Sequence, residues 1–105
     1  MKKIASLLVL LACTFHVFAQ PVRNFEFIGV WIATVENIDW PSKRGLASQT
    51  QQQEFIQILD MHQKNGMNAV VVQVRPAADA MYPSSFEPWS EYLTGKQGLA
   101  PEPFY

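Results

Sequence analysis

Cysteine is almost absent from this chain of 105 residues, which contains only Cys13. A chain with one cysteine can form no internal disulfide and no cysteine-rich zinc site, and a mature chain without Cys13 also lacks a Cys–His nucleophile. The segment that contains Cys13 is itself predicted to be removed. The rest of the chain must therefore be stabilised by an ordinary apolar core, which is small at this length.

Basic residues are also scarce. Residues 20–105 contain six Lys and Arg against nine Asp and Glu, a net charge of −3. Because no basic stripe is present to neutralise phosphates, a nucleic-acid partner is not expected. The same residues contain one histidine, His62, and no glycine-rich phosphate loop. We therefore expect neither a metal site nor a cofactor, and we place His62 at the edge of the core.

The N-terminus has the pattern of a secretory signal peptide. Two lysines precede an apolar run over residues 4–11, and small side chains follow at the positions that a signal peptidase reads. The apolar run is too short to span a membrane. We predict that residues 1–19 are removed by cleavage between Ala19 and Gln20, and that the mature protein is periplasmic or extracellular.

Lipoprotein processing is the alternative. The sequence Leu-Leu-Ala-Cys over residues 10–13 would leave Cys13 lipidated and the protein attached to the outer membrane. Residues 14–18 are still apolar, unlike a solvated tether, and this favours an uninterrupted signal peptide. A membrane contact is expected only if Cys13 is lipidated.

The mature chain begins with a lead-in over residues 20–26, which overlaps the start of a predicted strand. Residues 25–35 are mostly apolar without clean alternation, as in a parallel strand that is covered on both faces. Ser48 or Thr50, each with Gln three positions later, predicts the start of a helix by the capping-box pattern.

This helix is predicted to end near Lys64, with Asn65 and Gly66 as its C-terminal cap. A β-branched run over residues 69–74 predicts the second strand. Strand, helix and strand in this order form a right-handed βαβ unit, so we assign the chain to the α/β class.

Proline and glycine interrupt the sequence from residue 76 onward, and no periodicity is sustained there. A loop of this length is uncommon in a compact domain and is usually functional. A short helix is expected over residues 88–93. Two parallel strands with one helix leave both sheet edges and one face open. We therefore expect the chain to be the N-terminal part of a longer protein.

Polar side chains follow the second predicted strand. Gln73 and Arg75 alternate with valines, so they share one side of the strand. In a sheet closed into a barrel they would face the axis, with Arg75 at the mouth. Asp79 follows in the first turn of the loop and can pair with Arg75. Such a pair would either fix the loop or hold a substrate hydroxyl.

Asn37, Asp39 and Trp40 follow the first predicted strand. Because the carboxyl ends of parallel strands meet at one edge of a sheet, we expect these residues near Arg75 and Asp79. Asn and Asp are also frequent in Asx-turns, so a purely local role for Asn37 and Asp39 is the alternative.

The long loop is rich in aromatic residues, whose faces suit amphipathic rings such as sugars. Trp40 and Tyr82 are the predicted stacking platforms, whereas Phe86 and Trp89 are expected to pack the loop onto the barrel. Carboxylates are present, but their spacing identifies no catalytic pair. The loop aromatics are Tyr82, Phe86, Trp89, Tyr92, Phe104 and Tyr105.

Four segments resemble the glycosyl hydrolase-like 10 family. They are GVWIATVENIDWPS (residues 29–42), Leu59-Asp60 in the helix, GMNAVVVQVRPAADAMYPS (residues 66–84) and EPWSEYLTGKQGLAPEP (residues 87–103). The resemblance covers essentially all of the mature chain, and its motifs are long and in order.

The resemblance implies a (β/α)8 TIM barrel. Residues 27–105 would supply its first strand, first helix, second strand and the loop that follows. It also implies an exported glycoside hydrolase that cleaves glycosidic bonds in an envelope or extracellular polysaccharide, with peptidoglycan glycan strands as one candidate.

Five residues at the two strand ends would, by this resemblance, contact substrate at the catalytic mouth: Asn37, Trp40, Gln73, Arg75 and Tyr82. Asp39 and Asp79 are candidates for assisting the chemistry. The general acid and the nucleophile or base are expected at later strand ends, including an Asp-Asp-Tyr type motif that this chain does not contain. The fragment alone is therefore expected to be inactive.

Two other classes of protein are compatible with these residues. A glycan-binding barrel of the cell envelope without catalytic activity needs no acids at later strand ends, whereas an enzyme needs two. An exported deacetylase would need a downstream metal triad, and this chain supplies no ligands for one.

Overall fold

The structure is a computed structural model that describes residues 26–103. The predicted signal peptide with its cleavage point between Ala19 and Gln20, the alternative lipidation site at Cys13, and the two C-terminal aromatic residues lie outside the described residues. From residue 26 to residue 103, no helix is long and apolar enough to cross a membrane.

Two short parallel strands form the sheet. Strand β1 is Gly29–Ile32 and strand β2 is Ala69–Val72, and they pair in register from Gly29 opposite Ala69 to Ile32 opposite Val72. A helix, α1, connects them over Ser48–Lys64. The β–α–β order confirms the predicted α/β start of the fold.

Both strands are shorter than predicted, because backbone groups at their carboxyl ends have other partners. The Ala33 N–H donates to Oδ2 of Asp39 at 2.7 Å, and the Ala33 carbonyl accepts from the Asp39 N–H at 3.0 Å. The Gln73 N–H still donates to the Ile32 carbonyl at 3.0 Å, as the last ladder bond at this end. The strands therefore end at Ile32 and Val72.

The predicted N-cap of α1, Ser48 or Thr50, is wrong. Ala47 is the N-cap and contributes no side-chain hydrogen bond, while Ser48 is the first helical residue and is buried. The side chain of Gln51 connects the first turn to other segments, since its Nε2 donates to the carbonyls of Leu46 and Leu93 at 2.7 and 3.1 Å.

The predicted end of α1 is confirmed. The helix ends at Lys64, Asn65 is its C-cap, and Gly66 follows with φ of +83°, a conformation that glycine adopts without steric cost.

The core lies between the sheet, α1 and the loop after β2. Its buried members come from three separate parts of the chain: Ile32, Trp40 and Leu93. Partly buried side chains pack against them: Phe55, Ile58, Val72, Met81 and Trp89. Helix α1 therefore covers the face of the sheet that carries Ile32 and Val72. On the opposite face, Trp31 and Val71 are 59% and 42% exposed.

The loop after β2 is organised by a short parallel bridge. The Ala80 N–H donates to the Pro88 carbonyl at 2.9 Å, and the Ser90 N–H donates to the Ala80 carbonyl at 2.8 Å. A four-residue helix, α2, follows over Glu91–Thr94, with Ser90 as its N-cap. The predicted helix over residues 88–93 therefore exists, and it begins later because Ser90 caps it.

Candidate functional site

Gln73 joins the carboxyl ends of the two strands. Its Oε1 accepts from the backbone N–H groups of Thr34 and Val35 at 3.1 and 3.0 Å, and its carbonyl accepts from the Thr34 hydroxyl at 2.6 Å. Gln73 thus fixes the path of the chain as it leaves β1. Its predicted contact with substrate stays a prediction.

The chain has left-handed backbone geometry after both strands. Glu36 and Asn37 have φ of +52° and +55°, and Ala78 has φ of +54°. These are the non-glycine residues with positive φ in the described part of the chain. Each costs of the order of 1–3 kcal/mol and persists only where surrounding contacts hold it, as happens most often at functional sites.

Asn37 is held by the loop after β2. Its Nδ2 donates to the carbonyls of Pro41 and Tyr92, both at 2.9 Å. The side chain of Asn37 therefore connects the end of β1 to α2. The expected proximity of Asn37 to Arg75, and its predicted contact with substrate, stay predictions.

A charged cluster surrounds Tyr92. Arg44 pairs with Glu36 at 3.0 Å and with Glu91 at 2.6 Å, and its guanidinium carbon lies 4.7 Å from the centroid of the Tyr92 ring. The Tyr92 hydroxyl donates to Oε1 of Glu36 at 3.0 Å. This hydrogen bond to a carboxylate favours the neutral phenol and raises the pKa of Tyr92 above its ordinary value of 10.0.

Sequence reasoning missed this cluster because its members are distant in the chain. Tyr92 follows Glu36 by 56 residues, and Glu91 follows Arg44 by 47. The one available signal was the position of Glu36 at the predicted end of β1. The Glu36 side chain is 68% exposed, so its carboxylate is fixed by two partners and still open to a ligand.

Trp40 is not a stacking platform in this structure. It is 8% exposed, and its indole N–H donates to the Gln51 carbonyl at 2.8 Å. Its ring packs on Phe55 at a centroid distance of 5.0 Å and an interplanar angle of 59°. The prediction is corrected because the indole ring and its N–H make their contacts inside the core.

Asp39 bonds the backbone at the end of β1 instead of forming the Asx-turn that was the alternative for it. Its Oδ2 accepts from the Ala33 N–H, which ends β1 and folds the following turn back onto the strand. A role for Asp39 in assisting chemistry stays a prediction.

The predicted Arg75–Asp79 pair is wrong. Arg75 pairs with Glu87, and the two side chains are 51% and 26% exposed. Asp79 is fully buried, with Oδ1 accepting from the Ala77 N–H at 3.1 Å and Oδ2 without a hydrogen-bond partner among residues 26–103. Ala78, which directly precedes Asp79, has a left-handed backbone conformation. The chain turns there, and the Asp79 side chain lies in the interior.

Three aromatic side chains of the loop after β2, Tyr82, Phe86 and Trp89, differ in how far they are exposed to solvent. Tyr82 is 41% exposed, as a stacking platform would be. Trp89 packs against the core, as predicted, but Phe86 is 94% exposed, so the prediction that it packs the loop down is wrong. In the described part of the chain, no three His, Cys, Asp or Glu side chains come together as a metal site requires.

Comparison with known proteins places this chain in a family. The family model described as Glycosyl hydrolase-like 10 matches residues 26–102. The chain is 59% identical over 83 residues to glycosyl hydrolase YngK of Bacillus subtilis (strain 168), a match that covers 79% of this chain and 16% of that protein. It is 40% identical over 90 residues to glycosyl hydrolase DigH of Escherichia coli (strain K12), covering 79% of this chain and 19% of that protein.

The chain thus spans less than a fifth of the length of these curated relatives. The family match nevertheless includes β1, α1, β2 and the following loop to residue 102, with its charged and aromatic residues. The chain belongs to the glycosyl hydrolase-like 10 family.

Proposed function

We propose that this chain forms one wall of the catalytic mouth of an exported (β/α)8 glycoside hydrolase. Family membership supports the hydrolase class. The observation that carries the proposal is the meeting of both strand ends at one sheet edge through Gln73. Glu36, Arg75 and Tyr82, which follow these strand ends in the chain, are partly exposed. In a TIM barrel this edge is where substrate binds.

The carboxylates of this wall suit binding better than proton transfer. Glu36 and Glu87 are held in ion pairs, and Asp39 and Asp79 accept hydrogen bonds from backbone N–H groups. Hydrolysis of a glycosidic bond requires two carboxyl groups on either side of it. In this proposal those two groups come from other strands of the barrel, while this wall positions the sugar beside them.

The substrate in this proposal is a polysaccharide of the cell envelope or its surroundings, with the glycan strands of peptidoglycan as the first candidate. A neutral or weakly charged glycan fits the shortage of basic residues in residues 20–105. The proposed signal peptide would deliver the protein to the compartment that contains such polymers.

A cleavage assay on the full-length protein tests this proposal. The purified protein is incubated with peptidoglycan glycan strands stripped of stem peptides, and with chitohexaose, cellohexaose and xylohexaose. We expect new reducing ends and shorter products that have gained one water, detected by mass spectrometry. Binding of a glycan without cleavage would favour the glycan-binding barrel. If the protein neither binds nor cleaves any of these polymers, both functions are excluded for them.

A further inference from the structure

Phe86 is presented to solvent by a locally braced loop. At 94% exposure it is the most exposed large apolar side chain of the described residues. The Ser84 hydroxyl accepts from the N–H groups of both Phe86 and Glu87 at 3.1 Å. The backbone that carries the ring is therefore fixed by a contact within the loop and does not depend on burying the ring.

A charged pair includes Glu87, the residue that follows Phe86 in the same loop segment. Glu87, the next residue, pairs with Arg75 from the end of β2, and both side chains stay partly exposed. Tyr82 is 41% exposed at the other end of the same segment. The segment over residues 82–87, together with Arg75, thus combines the exposed Phe86 ring with a guanidinium donor and a carboxylate acceptor. The ion pair holds these two planar groups in position.

This combination matches the chemistry of a pyranose ring, which has an apolar C–H face and a rim of hydroxyls. The aromatic ring offers a surface for the C–H face. Arg75 can donate to hydroxyl oxygens, and Glu87 can accept from hydroxyl protons. A membrane anchor would instead be expected to surround the apolar side chain with Lys and Arg, and here the neighbour is a carboxylate.

We propose that residues 82–87 and Arg75 form a glycan subsite, with one sugar ring stacked on Phe86 and its hydroxyls bonded to Arg75 and Glu87. The subsite rests on the proposed function and specifies where on the mouth the polymer is held. It acts in binding and not in bond cleavage.

Variants of Phe86 in the full-length protein test this subsite. Phe86→Ala should raise the dissociation constant for glycan strands stripped of stem peptides, and the KM for their cleavage, by about tenfold. The kcat should stay within about twofold, because the ring contacts substrate away from the reacting atoms. Phe86→Trp should restore binding, and Ile56→Ala should change nothing, since Ile56 is a 55% exposed residue on α1.

Binding by affinity electrophoresis and cleavage are measured separately, so the two proposals can fail separately. If the wild-type protein binds glycan without cleaving it, the proposed hydrolase activity is contradicted. Weaker glycan binding by Phe86→Ala in that case would still support the subsite. Equal binding by Phe86→Ala and wild type overturns the subsite alone. A large fall in Tm for Phe86→Ala, with binding unchanged in the folded fraction, would also overturn it, because Phe86 would then be a packing residue.

Discussion

At the scale of single residues, most polar side chains at the strand ends hold the backbone in place. Gln73, Asn37 and Asp39 each bond main-chain groups of neighbouring segments. The sequence could predict which residue types follow each strand, because the strands are recognisable. It could not predict their partners, since Gln73 reaches 38 residues back to Val35 and Asn37 reaches 55 forward to Tyr92.

Replacement of Gln73 should show how far the strand ends depend on its side chain. Gln73→Leu leaves two N–H groups without their acceptor and should destabilise the protein by about 2 kcal/mol. Gln73→Glu keeps an oxygen at the same position and should cost less. Thermal unfolding of the full-length variants ranks their stabilities. The control is Gln63→Leu, at an exposed position of α1. Equal melting temperatures for Gln73→Leu and Gln63→Leu would contradict the assignment.

The Tyr92–Glu36 contact predicts a pH dependence at alkaline pH. The raised pKa means that the folded protein favours the neutral phenol, so the contact is complete below pH 10 and is lost as pH rises through the folded-state pKa. The difference in tyrosinate absorbance between wild type and Tyr92→Phe reports this titration. In a Glu36→Gln background the midpoint should move down toward 10.0. The same midpoint in both backgrounds would show that Glu36 is not the cause.

At the scale of elements, some ends follow from local sequence and others from tertiary contacts. Asn65 and Gly66 end α1 by the conformation they adopt themselves, so that end was predictable. The start was not, because Ser48 and Thr50 fitted the capping pattern equally well. The structure begins the helix after Ala47, where Gln51 ties the first turn to Leu46 and Leu93.

Helix α1 can be stabilised at its uncapped start. Ala47 is exposed and has the extended backbone of an N-cap, with φ of −57° and ψ of 141°. Ala47→Asp should therefore raise the free energy of unfolding by about 1 kcal/mol, by accepting from an N–H of the first turn and by its favourable charge. The same substitution at exposed Gln53, inside the helix, should give no gain. A melting temperature that does not rise for Ala47→Asp would contradict this account of the helix start.

At the scale of the whole molecule, helix α1 covers one face of the sheet in the described residues. The sheet has two strands, and Trp31 and Val71 leave one of its faces largely open. The α/β class was predictable from the strand–helix–strand pattern, and the family was predictable from its long ordered motifs. The correct partner of Arg75 was not, because Glu87 comes to it only through the bridge between Ala80 and Trp89 that folds the loop.

We propose that the edge where β1 and β2 end binds a glycan that the full-length protein hydrolyses. The most direct measurement compares glycan hydrolysis by full-length Arg75→Ala and Lys64→Ala, because Lys64 carries the same charge at the far end of α1. We expect kcat/KM to fall about tenfold or more for Arg75→Ala, through loss of charged hydrogen bonds, and to be unchanged for Lys64→Ala. Equal activity of the two folded variants would remove Arg75, and with it this edge, from the substrate site.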